Sequence, residues 1–188
     1  MMYKIYKIYN VFSNKERKKI IKDCQPLLLT GSQLADYYNE TKPYPGRQSH
    51  PTVHLNSNFK WVYDIFLKKI KEELKFNFSV HKSWFKYTVG GANDISWHNH
   101  TYDNVSFTSV YYIKTNRFLS GGTMFTDSFN ITSENKHKKR KHEFVRSPQN
   151  SLLIFPSNLV HSTPNVLFRN DRYVLSTDFH LRGCYDFR

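Results

Sequence analysis

The chain has 188 residues, 16% of them aromatic, and a formal net charge of +13. That is the length of one domain with a real core, and seven glycines and seven prolines argue against low complexity or disorder. No stretch approaches 18 apolar residues, the opening "MMYKIYKIYN" lacks an apolar signal core, and Cys24 and Cys184 form neither a CxxC pair nor a disulfide framework, so the expectation is a cytoplasmic protein with no membrane partner.

In chain order, "SNKE" (Ser13 to Glu16) is a capping box, and a helix is expected from there to about Gln25, where Pro26 stops it. Residues 37–50, "YYNETKPYPGRQSH", read as a long, turn-rich, aromatic loop of the kind that serves as a lid or binding loop. A second helix is expected from near Asn58, because Phe59, Val62, Phe66, Ile70 and Leu74 recur as one apolar stripe. After Asn77 the texture changes to short apolar or alternating runs such as "SFTSVYYI", "SLLIFP" and "RYVLSTDFHL", punctuated by Gly, Pro and Asn. This is the pattern of a β sandwich or barrel. The fold class is therefore mainly β with N-terminal helices (α+β). One unit spans 1–188, with 1–76 as helical support and lid loop and 77–183 as the β core.

Five of the thirteen net charges lie in "KHKKRKH" (136–142). Such a run is either a solvated loop between two strands or a site for an acidic partner such as nucleic acid. No nucleic-acid motif accompanies it, and the solvated loop is the plainer reading.

The chemistry concentrates in "SWHNHTYDN". In an extended segment, His98 and His100 point to one side, because side chains alternate with a period of two. Two neighbouring imidazoles can share one ion. A third ligand has to come from another strand, and His161 follows the apolar run "SLLIFP" and a proline turn. Two or three protein ligands with open positions describe a catalytic iron site better than a closed structural one. His54, His81, His137, His142 and His180 receive no role from their surroundings in the sequence.

The order of motifs from Tyr87 to about Phe179 resembles the double-stranded β-helix (jelly roll, cupin-like) of the Fe(II)/2-oxoglutarate-dependent oxygenases. It is most similar to the prolyl-hydroxylase-like branch and to small, often phage-encoded members with an HxH signature. The resemblance is carried by the Trp-His-x-His mouth, the "VYYI" strand, the "GG" turn before "TMFTD", "SPQNSLLIFPS", the distal His161, and Arg172 eleven residues later. It covers about half of the chain.

The resemblance implies that His98 and His161 hold Fe(II). The middle ligand of the family is usually a carboxylate, and here that position is His100. Three arrangements stay open: an all-His face, a two-His site, and a carboxylate from Asp103 on a bent loop. The all-His face is favoured, since Asp103 lies on the opposite side of an extended chain. The resemblance further implies that Arg172, Ser176 and Tyr112 anchor the distal carboxylate of 2-oxoglutarate, with Tyr87 as a second cosubstrate-facing tyrosine. The residues suit this: a guanidinium fork fits a carboxylate, Arg172 and Ser176 share a strand face, and Tyr112 shares one with Thr108 and Val110. The plainer alternative for Arg172 is a surface ion pair with Asp171 or Asp178. Arg169 precedes Asn170 in what reads as a turn, and is expected to be exposed.

The implied reaction is oxidative decarboxylation of 2-oxoglutarate by O2 to succinate and carbon dioxide, coupled to hydroxylation or other oxidation of a C–H bond. The main substrate is not legible: a protein or peptide side chain is favoured by the prolyl-hydroxylase likeness, and the positive charge keeps nucleic acid open. Because His100 replaces a carboxylate, two other classes remain: a three-His cupin-type dioxygenase that uses no keto acid, and a non-catalytic binding module on the same barrel.

Overall fold

The computed structural model describes residues 4–43, 46–89, 97–115, 121–126, 142–163 and 171–182. Helix α1 (Asn14–Cys24) starts as expected, with the Ser13 side chain accepting from the Glu16 amide and the Glu16 side chain accepting from the Ser13 amide. It buries Ile20 and Cys24. Helix α3 (Lys60–Leu74) buries Val62, Phe66 and Ile70 of the expected stripe and adds Tyr63; Phe59 is buried just ahead of the helix, and Leu74 is partly buried at its end. Helix α2 (Gly31–Tyr38) was not expected. A second capping box, Thr30 with Gln33, starts it, and Asn39 in the left-handed conformation ends it.

Two sheets follow. The larger one contains β1 (Tyr6–Tyr9), β2 (Leu29–Thr30), β3 (Arg47–Gln48), β4 (Phe78–Thr88), β5 (Phe107–Lys114), β8 (Ser151–Pro156) and β10 (Arg172–Leu181). Its spatial order is β1-β8-β5-β10-β4-β3-β2. The smaller sheet is formed by β6 (Gly122–Thr126), β7 (His142–Arg146) and β9 (Val160–Ser162), in the order β7-β6-β9. The fold is a jelly roll with helices on the outside of its large sheet. The N-terminal part is not purely helical, because β1 pairs with β8 and β3 pairs with β4.

The large sheet buries apolar side chains on both faces. Its outer face carries Phe85, Tyr111, Ile113, Leu152, Ile154, Leu175 and Phe179, which pack with Phe12, Phe59 and Phe66 from the helical layer. Its inner face carries Val110, Tyr112, Leu153, Phe155 and Val174, which meet Phe125, Val145 and Leu159 between the sheets. Burial on both faces explains why β8 reads as an unbroken apolar run rather than an alternating one. Asn150 ties the two layers together: its Oδ1 accepts from the Phe12 amide (3.0 Å) and the Tyr111 hydroxyl (2.9 Å), and its Nδ2 donates to the Phe12 carbonyl (2.7 Å).

One glycine brings the expected lid loop close to the sheet. Gly46 sits at φ +77°, where a Cβ would lie 2.5 Å from the Tyr87 carbonyl oxygen. Only glycine allows this approach, which leads into the pairing of Arg47 with Tyr87. No helix among the described residues is long and apolar enough to cross a membrane.

Candidate active site

Three strands aim side chains into the space between the sheets. On β10 these are Arg172, Val174, Ser176 and Asp178. The register places them beside Thr88, Lys86, Trp84 and Lys82 of β4, and places Val174, Ser176 and Asp178 beside Tyr112, Val110 and Thr108 of β5. These positions line or underlie one cavity of about 810 Å³.

His98, His100 and His161 meet on its wall, with one ring nitrogen of each within 4.8 Å of the others. The HxH segment lies beside β9. His98 and His161 form an antiparallel bridge, with amide-to-carbonyl distances of 3.1 and 2.9 Å, and the His100 amide donates to the Ser157 carbonyl (2.9 Å). An extended backbone therefore turns both imidazoles toward the third. Near β9, Phe155 packs edge-on against His161, with ring centres 4.7 Å apart.

The rings are oriented from behind. His161 Nδ1 lies 3.0 Å from the Leu159 carbonyl oxygen, to which it donates, leaving Nε2 as the free donor atom. Burial, with the neighbouring His98 and His100, pushes the His161 pKa down to about 3. It is therefore neutral, with a lone pair available, at ordinary pH. His100 Nδ1 lies 3.1 Å from Asp178 and 3.1 Å from the Tyr102 hydroxyl, and Trp84 stacks on the ring at 5.7 Å and 9°. Asp178 is fully buried and also accepts from Tyr102 (2.6 Å) and Thr108 (2.8 Å). Burial, and then the Asp178 carboxylate, push the Tyr102 phenol well above its usual value, so it remains a donor.

Arg172 lines the same cavity and is 3% exposed. Its guanidinium carbon lies 5.5 Å over the Tyr112 ring, and the Tyr112 hydroxyl is 2.6 Å from Thr123 Oγ1. Burial raises the Tyr112 pKa while Arg172 opposes the rise. Ser176 lines the cavity four residues along from Arg172. Three imidazoles suit iron, nickel, copper or zinc, and the open cavity beside them leaves room for further ligands. A buried guanidinium in that cavity suits a carboxylate.

No protein-family model and no curated protein sequence matches the chain. Solved structures do. HygX from Streptomyces hygroscopicus, with nickel, 2-oxoglutarate and hygromycin B bound, matches at a TM-score of 0.64 and 14% identity, covering 98% of this chain and 85% of that one. A Pseudomonas putida prolyl-4-hydroxylase matches at 0.57 and 13% identity, covering 97% and 95%. A Trichoplax adhaerens prolyl hydroxylase, in complex with a hypoxia inducible factor peptide fragment, matches at 0.62 and 14% identity, covering 93% and 82%. The chain has the fold of the Fe(II)/2-oxoglutarate-dependent oxygenases.

On this oxygenase fold, His98, His100, His161, Arg172 and Ser176 come together at the cavity, and Tyr112 lies beneath it. Tyr87 does not join them. It is on the outer face of β4, where its ring packs against Tyr173 and its hydroxyl donates to Asp171 (3.0 Å). The inward residue is its neighbour Lys86; a shift of one residue exchanges the faces of a strand. Asp103 lines the cavity without joining the imidazole cluster, and its carboxylate is held by Lys82 (2.8 Å) and His81 (3.3 Å). Arg172 is not on the surface, and Asp178 bonds His100.

The expected lid loop reaches the cavity through Tyr38, Glu40, Lys42, Pro43 and Gln48. Of the basic run, only His142 is among the described residues; it stacks on Trp97, next to His98, at 4.9 Å. Residues 136–141 and Arg169 lie outside them. Sequence reasoning missed Asp178, Tyr102 and Trp84. A signal for Asp178 existed, since it stands two residues beyond Ser176 on the same strand face.

Proposed function

We propose that this chain is an Fe(II)- and 2-oxoglutarate-dependent dioxygenase that hydroxylates a C–H bond of a second substrate. The observation that carries this reading is Arg172, a guanidinium buried on the wall of the cavity that also holds three clustered imidazoles. A planar guanidinium fork on a cavity wall matches a carboxylate at two points, and the imidazole cluster on the same cavity is where the other end of a keto acid would bind with a metal. HygX, which shares the fold, binds nickel and 2-oxoglutarate.

In this reading His98, His100 and His161 hold the iron, which when bound supplies dioxygen activation. Arg172 takes the distal carboxylate of the keto acid in its planar fork, and Ser176 adds a hydroxyl from the same strand face. Tyr112 supports the guanidinium from below, with its own hydroxyl fixed by Thr123. Phe125, Phe155 and Val110 keep the inner end dry.

The second substrate enters past Tyr38, Pro43 and Tyr102. A protein or peptide side chain is the favoured class, in line with the peptide complex of the Trichoplax prolyl hydroxylase; an acidic polymer is the alternative. The test is anaerobic addition of Fe(II) and 2-oxoglutarate, followed by air. The weak visible absorption of the keto-acid chelate and stoichiometric succinate are expected. Oxygen uptake that is independent of any keto acid would favour the three-His cupin-type reading, which His100 in place of a carboxylate motivates. Absence of metal binding would favour a binding module.

A further inference from the structure

We infer that Asp178 is a positioning residue for the metal centre: from behind His100, its carboxylate fixes that ring's tautomer and supplies a negative charge that an all-imidazole ligand set lacks. The inference rests on the metal-centre reading above.

Asp178 is 0% exposed, and aspartate is almost never fully buried without partners. Its hydrogen-bond partners among the described residues are two hydroxyls, Tyr102 and Thr108, and the His100 imidazole. None of these is a fixed cation. Lys82, opposite it on β4, is instead bonded to Asp103. Three hydrogen bonds hold this carboxylate, and none of them brings a permanent positive charge. A dication on the far side of His100 would supply that charge through the ring.

The geometry suits that role. The Tyr102 hydroxyl lies 3.1 Å from His100 Nδ1 but only 2.6 Å from Asp178, and the shorter contact directs its proton to the carboxylate, as Thr108 does at 2.8 Å; Asp178 is then an acceptor toward His100 as well. His100 Nδ1 must then carry the proton, and Nε2 presents its lone pair toward His98 and His161. A carboxylate behind a ligating imidazole fixes the ring and raises its basicity. Trp84 stacked on one face of the ring removes the remaining rotational freedom. The bulge in the β4–β10 pairing falls directly after Asp178. Such irregularities re-aim side chains beside functional sites.

The test uses the full chain and Co(II) as probe, with affinity measured by competition against a chelator. Asp178→Asn keeps the shape and removes the charge. It should weaken Co(II) binding by about 10–100-fold with the thermal melt of the metal-free protein retained. In a His100→Ala background the same substitution should change affinity less than twofold, because the carboxylate acts through that ring. Equal losses in both backgrounds mean a merely structural role and overturn the inference. So does unchanged affinity of Asp178→Asn. If Asp178→Asn does not fold, nitrogen-15 NMR of the metal-free wild type decides: His100 as the Nδ1–H tautomer supports the inference, and the Nε2–H tautomer overturns it. Failure of wild type to bind Co(II) would instead remove the metal-centre reading itself, and this inference with it.

Discussion

Replacing Arg172 by lysine keeps a positive charge in the cavity and removes the planar fork. Arg172 is buried and stacked over Tyr112 at 5.5 Å, so the shorter ammonium would lose both the stacking and the two-point contact with a carboxylate. A charge-assisted hydrogen bond is worth about 1.5–3 kcal/mol, or roughly ten- to over a hundredfold in affinity. Arg172→Lys should sit at the lower end of that range, and Arg172→Ala at or beyond the upper end. The assay is succinate release as a function of 2-oxoglutarate at saturating iron. Metal affinity, measured separately by chelator competition, should stay within a few-fold, because Arg172 does not belong to the imidazole cluster. If Arg172→Ala requires no more 2-oxoglutarate than wild type, the anchor is wrong. If it loses metal as well, the cavity has collapsed and the separation between anchor and metal wall is wrong.

The His98→Ala, His161→Ala double variant should hold no stoichiometric iron, which metal analysis after gel filtration reads directly. His100→Asp should retain a metal and His100→Ala should bind it more weakly, whereas Asp103→Ala should leave affinity unchanged, because that carboxylate is held by Lys82 and His81; the reverse ranking would make Asp103 the ligand. Burial pushes the Cys24 thiol up to about 12. Below the ordinary thiol value both folded and unfolded chains keep this proton; above it only the unfolded chain releases it, so the Cys24 contribution to stability is lost as pH rises. Wild type should therefore lose stability faster than Cys24→Ala above about pH 8.5 in denaturant titrations, and Cys24 should resist alkylation until the chain unfolds, as peptide mass analysis can follow.

The parts of the site that were legible in the sequence are those governed by strand periodicity. His98 with His100, and Arg172 with Ser176, needed only a count of two. The apolar stripe of α3 needed only a count of three or four. Asp178 obeyed the same count, yet an aspartate near an arginine suggests a surface pair, and its real partners come from Tyr102 and Thr108, remote in sequence. Tyr87 failed for the opposite reason: its identity fitted but its parity did not. Helix α2 was hidden because its last two residues, Tyr37 and Tyr38, open the stretch that reads as a loop, although Thr30 and Gln33 spell out its cap. Strand β1 exists because β8 offers it an edge, a condition that no local pattern encodes.

The two faces of β4 divide its work between persistence and change. Ser83, Phe85 and Tyr87 look toward the helical layer, whereas Lys82, Trp84 and Lys86 look into the cavity. Exchanging Lys82 and Lys86, with Trp84 kept against His100, alters the cavity wall without opening a void beneath the helices. A lineage, or an engineer, can therefore re-shape such a cavity through two positions of one strand while the remainder of the molecule continues to fold by the same rules.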